Sequence, residues 1–391
     1  LARLELQETR KAAKPRRGAG DVVLRPARLG DIPELVRVEN ECFEMDRLSR
    51  RSFQRLLRSG NIACTVAVRD RRLVGYVLVL FRRSISLARL YSIAVAEGAR
   101  GVGLGHQLLA AAEDEALSND CVYMRLEVHP KNRRAIWLYR DMGYEEFGVF
   151  QDYYEDHADA KRMEKRLGGG LASVESRVPF YAQTLEFTCG AAALLMAMKA
   201  LDPKSPFDRG EEFRLWREAT TIFMLSGHGG CGPYGLALAA YRRGFEVEVF
   251  VNDLDAFFVD TVRSAQKKEV LRLVENDFRA QIAETDIRVS RGALSVEGLS
   301  EAFAEGAVPI VLVSSYRIDR DRIPHWVVVS GVDSRFIYVH DPFLDAEGDT
   351  TELDCVNMPI PKAEFRRLAR YGKSQLKATV ILRRRRRRSS S

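Results

Sequence analysis

The sequence predicts two α+β domains in tandem, and three observations carry that reading. The chain has 391 residues, whereas single hydrophobic cores rarely grow past about 250–300 residues. Between Leu90 and Ala112 a strand-like run passes through a glycine-punctuated turn into an apolar-periodic helix. Beyond Gly168-Gly169-Gly170, a run with no packing side chains, helices come first and strands later, the order of a second unit built on one sheet. The implied division is a basic flexible arm over 1–20, a first domain over 21–167, a linker over 168–174, a second domain over 175–378 and an Arg/Ser-rich tail over 379–391.

Local signals place the elements in order. Val22–Arg25 reads as a strand. Asp31 caps a helix through Cys42, and Ser49 caps another through Leu57. Cys64–Arg69 and Leu73–Phe81 form a hairpin over Asp70-Arg71-Arg72, and Leu87–Val95 continues the sheet. The helix carrying Leu104, Leu108, Leu109 and Ala112 follows. Then come the strand Tyr123–Val128, a helix over Ala135–Met142 and the strand Tyr144–Phe150. In the second half an apolar helix runs from Cys189 to Leu201. Further helices are expected at Glu211–Phe223, Tyr234–Arg243, Val262–Ile282 and Ser295–Glu305, with strands at Val308–Val313, Trp326–Val332 and Phe336–Val339.

Charge narrows the function classes by its location. The formal net charge is +7. Arg383–Arg388 alone carries six positive charges, and the first twenty residues hold six Lys or Arg against Glu5 and Glu8. The remaining body is therefore slightly acidic and presents no evident nucleic-acid surface. The tails could still touch RNA, a ribosome or another acidic surface, weakly and in a salt-dependent way. Six scattered cysteines suggest neither a disulfide framework nor a zinc site, so no metal is expected and a reducing, cytoplasmic setting fits. The charged N-terminus lacks a signal-peptide core, and Val74–Phe81, the longest apolar run, is too short to span a bilayer.

Arg100-Gly101-Val102-Gly103-Leu104-Gly105 sits where the first glycine turn enters its helix. Glycines let backbone N–H groups approach phosphate oxygens, and the helix dipole adds positive potential. A dinucleotide-binding fold uses a similar device, but its Gly-x-Gly-x-x-Gly order is absent and no acidic ribose-binding residue ends the next strand. Instead Leu126-Glu127-Val128 is followed by Asn132 and Ile136-Trp137-Leu138-Tyr139, with Glu127 on the face opposite its neighbours. Taken singly, Glu127 reads first as a solvated strand residue and Tyr139 as a core aromatic.

Over Asp21–Leu167 these motifs together resemble the GNAT superfamily of acetyl-CoA-dependent N-acetyltransferases, and within it the ribosomal-protein-alanine group. The resemblance implies acetyl-CoA as cofactor and a protein or peptide substrate with a free amine. It implies Glu127 as general base through a water, and Tyr139 as general acid toward the departing thiolate. It also implies that backbone N–H groups around Ile93 and Val95 hold the thioester, that Asn132 meets the pantetheine arm, and that Arg100 to Gly105 and His106 face the cofactor phosphates.

A second constellation lies downstream. Cys189 begins a helix, where the dipole favours the thiolate. Gln183, six residues earlier, could lend its amide to an oxyanion hole. Pro324-His325-Trp326 opens a strand and Val339-His340-Asp341-Pro342 ends the next, so an antiparallel pairing would bring Asp341 near His325. Over about 175–375 this order of Gln, Cys, His and Asp resembles the C39-like branch of papain-like cysteine peptidases. That resemblance implies a Cys-His-Asp thiol peptidase; a catalytically silent peptide-binding module of the same fold is the alternative. Gly227-His228-Gly229-Gly230-Cys231-Gly232 reads as a glycine-shaped loop near that cleft.

Overall fold

The computed structural model describes residues 17–18, 22–154, 156–167, 176–221, 229–253, 257–259, 264–314, 324–344, 350–372 and 374–385. By internal contacts the chain divides into two units. One comprises Leu1–Phe81 with Leu87–Gly169, and the other Arg82–Ser86 with Gly170–Ser391.

The first unit is a sheet covered on both faces. Its strands are β1 (Arg17–Gly18), β2 (Val22–Pro26), β3 (Ile62–Arg69), β4 (Arg72–Phe81), β5 (Leu87–Val95), β6 (Tyr123–Val128), β7 (Glu145–Phe150) and β8 (Ala160–Arg166). They run in the order β1-β2-β3-β4-β5-β6-β8-β7. Helices α1 (Ile32–Cys42) and α2 (Arg50–Arg58) set Leu35, Val38, Phe53 and Leu56 against Val66, Tyr76, Leu78 and Ala94. On the other face α3 (Leu104–Ser118) and α4 (Arg133–Asp141) bring Leu104, Leu108, Leu109 and Ile136 onto Val77, Val79, Leu90, Met124 and Leu126. Period-two alternation along each strand makes both faces apolar in this way. Ser49 caps α2, its Oγ accepting from the Ser52 N–H at 3.1 Å. Asp31 precedes α1 but makes no side-chain cap bond; its carboxylate takes Arg25 at 2.7 Å and the Arg28 N–H at 2.7 Å.

The pairing of β5 with β6 creates the opening that matters. These strands are parallel, yet only Leu87–Arg89 pair with Tyr123–Arg125. A register shift between Leu78 and Val79 of β4 bends β5 there. From Leu90 onward β5 pairs only with β4, and Leu126–Val128 pair only with β8. The two parallel strands therefore diverge into a slot.

The second unit has the sheet order β10-β9-β15-β11-β12-β13-β14. Its strands are β9 (Phe245–Val251), β10 (Arg288–Arg291), β11 (Val308–Ser314), β12 (Pro324–Val332), β13 (Phe336–His340), β14 (Met358–Pro361) and β15 (Ala378–Arg384). Helices α5 (Cys189–Leu201), α6 (Arg209–Ala219), α7 (Pro233–Arg242), α8 (Ala265–Ala283) and α9 (Val296–Ala304) precede the later strands, and α10 (Glu352–Cys355) and α11 (Lys362–Leu368) come after β13. Helix α5 is buried on every side from Cys189 to Met198, as expected of a helix apolar all round.

Several expectations need correction. The tail from 379 is not a free basic segment. Ala378–Arg384 is an interior strand of the seven-stranded sheet, pairing with β9 and β11, and Val380, Ile381 and Leu382 are buried. Arg383 pairs with Glu248 at 3.4 Å and Arg385 with Asp286 at 3.1 Å. The six-arginine run masked a strand whose apolar half lies just before it. Strand β8 was likewise hidden, because Ala160–Arg166 is mostly charged and buries only Ala160 and Met163. Of the expected flexible arm over 1–20 only Arg17–Gly18 is described, and it is a strand paired with β2; the linker over 168–174, His228 and the block from Arg386 onward lie outside the described residues. Among the described residues no helix is long and apolar enough to cross a membrane, and no group of His, Cys, Asp or Glu could hold a metal ion.

Candidate active sites

In the first unit, the expected anion cradle is the loop between β5 and α3. Gly101 and Gly103 take φ of 82° and 78°. A Cβ at either would meet nothing within 4 Å, so the left-handed backbone rather than crowding calls for glycine. Val102 is exposed at the loop tip, while Leu104 is buried and anchors the start of α3. Gly105 follows, close against Leu138. The first amides of α3 have no intrahelical acceptor and carry the positive end of its dipole. Arg100 folds back, its Nε donating to the Val95 carbonyl at 3.0 Å. Ile93 and Val95 lie on the diverging part of β5 that borders the slot. His106 is turned to Asp141, Nε2 to Oδ2 at 2.9 Å, and its ring stands edge-on to Trp137. Asn132 Oδ1 caps α4 by accepting the Ala135 N–H at 3.1 Å.

Glu127 is not a solvated strand residue. Its side chain is 5% exposed, and Oε2 pairs with Arg89 Nε at 3.2 Å. Arg89 is in phase on the adjacent strand, because Arg89 lies beside Arg125 and Glu127 follows two residues later on the same face. Arg89 Nη2 also reaches the Tyr153 hydroxyl at 3.3 Å. Tyr139 on α4 is buried beside Tyr144, and burial pushes its phenol well above the usual range, so it stays protonated near neutrality. Burial raises the Tyr153 phenol to about 12. It raises Tyr154 further, with Tyr153, Glu127 and Tyr139 adding to the effect. Tyr154 thus shares one environment with both expected acid–base residues. His129 packs its ring on Tyr154 at 4.7 Å. Sequence reading missed Arg89, Tyr153, Tyr154 and His129; the available signal was the Tyr153-Tyr154 pair just after β7.

In the second unit, β12 and β13 are antiparallel. His325 near the start of β12 and Asp341 just past β13 meet, Nε2 to Oδ1 at 2.6 Å, with side chains 10% and 2% exposed. Asp341 Oδ1 also accepts the Phe343 N–H at 3.0 Å. Burial alone would raise the Asp341 carboxyl, but the charge and hydrogen bond of His325 outweigh it and hold the group low. Burial likewise opposes the imidazolium, yet Asp341 and Cys189 together lift His325 well above its ordinary value. Nε2 is engaged by Asp341, which leaves Nδ1 as the other ring nitrogen. Cys189 is the first residue of α5 and 7% exposed. The next residue must be glycine: a Cβ on Gly190 would lie 2.9 Å from Cys231 Cβ and 3.2 Å from Trp326 Cδ1.

Gln183 is tied to the same strand end, its N–H donating to the Pro342 carbonyl at 2.8 Å. Its side-chain Nε2 donates one of its two N–H bonds to the Leu185 carbonyl at 2.8 Å. Glu212, unnoticed in the sequence, holds this segment. It is fully buried and accepts from Tyr181 Oη at 3.0 Å, from the Thr184 N–H at 2.8 Å and from Thr184 Oγ1. Cys231 is buried with its carbonyl accepting from Trp326 Nε1 at 2.9 Å, and burial pushes its thiol well up.

Residues 32–144 match the Acetyltransferase (GNAT) family, and residues 178–383 match the Peptidase_C39 like family. An N-alpha-acetyltransferase of Sulfurisphaera tokodaii is 31% identical over 153 residues, covering 36% of this chain and 90% of the relative. One of Saccharolobus solfataricus is 30% identical over 159 residues, covering 38% and 94%. The ard1 catalytic subunit of the N-terminal acetyltransferase A complex of Schizosaccharomyces pombe is 33% identical over 100 residues, covering 24% and 56%. Among solved structures, the ribosomal-protein-S18-alanine N-acetyltransferase of Escherichia coli aligns with 39% of this chain and 99% of its own at 22% identity and a TM-score of 0.35.

GNAT acetyltransferases use acetyl-CoA. The residues present fit it: a left-handed glycine loop and a helix start for the diphosphate, and the slot between β5 and β6 for an extended amide-bearing arm. The chain is thus an N-acetyltransferase that belongs to the GNAT family through its first unit and to the Peptidase_C39 like family through its second.

Proposed function

We propose that the first unit acetylates the α-amine of a protein or peptide N-terminus, and that the second is a Cys-His-Asp thiol peptidase. For the transferase, the carrying observation is the buried Glu127 carboxylate, held by Arg89 where β5 and β6 part. The relatives described as N-alpha-acetyltransferases support an α-amine over other amines. Acetyl-CoA supplies an activated acetyl thioester. Glu127 takes a proton from the incoming ammonium through a water, and Arg89 fixes the carboxylate's direction. Tyr139, kept protonated by burial, donates its phenolic proton toward the departing sulfur. Intact-mass analysis of peptides offered with acetyl-CoA tests this. Peptides with a free N-terminus gain one acetyl group, and N-terminally blocked, lysine-bearing peptides stay unmodified; equal acetylation of both would reject the α-amine assignment.

For the peptidase, the buried His325–Asp341 pair beside Cys189 carries the reading. With His325 held as imidazolium, the Cys189 thiolate attacks the peptide carbonyl and the imidazolium gives its proton to the leaving amine; the neutral imidazole then takes a proton from the water that releases the acyl group from sulfur. Iodoacetamide should label Cys189 faster than the other five cysteines, and His325→Ala should remove that preference. A silent peptide-binding module of the same fold is the alternative reading. Uniform labelling of the six cysteines would decide for it.

A further inference from the structure

The carboxylate of the Cys189–His325–Asp341 set has a second charged neighbour. Arg82 belongs to the second unit. Its Nη1 donates to the Asp354 carbonyl at 2.9 Å and reaches Met358 Sδ at 3.4 Å and Cys355 Sγ at 3.6 Å. Its Nη2 stands 3.7 Å from Asp341 Oδ2, with the two side chains 15% and 2% exposed. The two carboxylate oxygens therefore have separate partners, Oδ1 the imidazole and the Phe343 N–H, Oδ2 the guanidinium.

The other titratable groups packed around this carboxylate are committed elsewhere. His340 turns Nε2 to the Val178 carbonyl at 2.8 Å and accepts the Asn357 N–H on Nδ1 at 2.8 Å. The Asp354 carboxylate takes the Thr351 N–H at 3.0 Å, and the Cys355 thiol donates to the Phe343 carbonyl at 3.2 Å. Cys189 acts on the His325 imidazole. Among the described residues, Arg82 is the permanent cation within 4 Å of Asp341.

We propose that Arg82 is a positioning residue of this thiol-peptidase constellation, holding Asp341 as an anion with Oδ1 turned to His325 whether the imidazole is charged or neutral. The inference rests on the peptidase reading. The need for it follows from the cycle, which takes His325 between imidazolium and neutral imidazole. A carboxylate buried to this depth has no water to stabilise it when the imidazolium is gone. A guanidinium remains charged throughout and fills that role. Its field adds to that of His325 in keeping Asp341 ionised against burial.

The test uses the full chain labelled with [13Cε1]histidine, the His325 resonance being assigned by its loss in His325→Gln. Removing a fixed cation makes the His325–Asp341 pair hold its proton more tightly. The His325 titration midpoint should therefore rise by about one pH unit in Arg82→Gln, and stay within a few tenths of a unit of the native value in Arg82→Lys. Arg82→Met, which keeps the aliphatic contact with Met358, gives the same reading where Arg82→Gln does not fold. An unchanged or lowered midpoint in the charge-removing variants overturns the proposal. Cys189→Ala separates the two levels. If the midpoint falls in Cys189→Ala but ignores Arg82→Gln, Arg82 has no such role and the peptidase reading stands. If it ignores Cys189→Ala as well, both fail.

Discussion

Replacing Glu127 by Gln would slow acetyl transfer under two quite different physical accounts, and the ion pair with Arg89 provides the means to separate them. At 3.2 Å, and with both side chains about 95% withdrawn from water, the pair has a gross attraction of roughly 5 kcal/mol at an effective dielectric of about 20. Glu127→Gln removes the charge and leaves a buried guanidinium uncompensated, which costs about 3–5 kcal/mol of stability. Arg89 retains the Tyr153 hydroxyl and the Tyr91 ring as neighbours, so the lower end of that range is expected. Adding Arg89→Met removes the stranded cation and should return at least about 2 kcal/mol, read as the coupling energy of a double-mutant cycle in urea. Activity should not follow stability. If Glu127 moves the proton, turnover falls by about 10²–10⁴-fold in Glu127→Gln and stays low in the double variant. Release of free coenzyme A thiol, measured on samples shown by circular dichroism to be folded, reads it directly. Recovery of turnover in the double variant would refute the reasoning: Glu127 would then serve only to neutralise Arg89.

Three further outcomes follow from the same geometry. Tyr139→Phe should lower turnover by about 10²-fold or more with little change in the urea midpoint, since the ring stays packed beside Tyr144; native turnover would remove Tyr139 from the proton path. The His325–Asp341 pair should shape stability against pH. Asp341, held low, contributes above its unfolded value near 3.8 and loses that contribution as pH falls through its native value; His325, held high, contributes fully below about 6.5 and loses it as pH rises through its native value. His325→Ala should therefore flatten the alkaline fall in unfolding free energy, and an identical fall in both proteins would contradict the pairing. Ending the chain after Lys377 should prevent folding of the second unit, because it deletes an interior strand and the burial of Val380, Ile381 and Leu382, worth about 1.5–3 kcal/mol each.

What the sequence made legible divides along a physical line. Elements with a local signal, such as the Ser49-capped α2, the glycine turn into α3 and the all-apolar α5, were readable because neighbours in sequence determine them. Elements whose character depends on remote partners were not. Strand β8 is nearly all charged and exists because β6 and β7 flank it, and β15 exists because β9 and β11 do. The sites divide in the same way. Cys189, His325 and Asp341 could be named from residue type and order, since a nucleophile at a helix start and a base at a strand start have local signatures. Arg89, Glu212 and Arg82 carry none: each is an ordinary charged residue whose meaning comes from partners remote in the sequence. Buried charge is costly unless matched, so an isolated Arg in a strand or Glu in a helix reads as surface until its partner is known. For this chain the groups assigned to the chemistry were the readable ones, and the charged groups paired around them were not. The reason is that orientation is a property of pairs, and one sequence records residues singly.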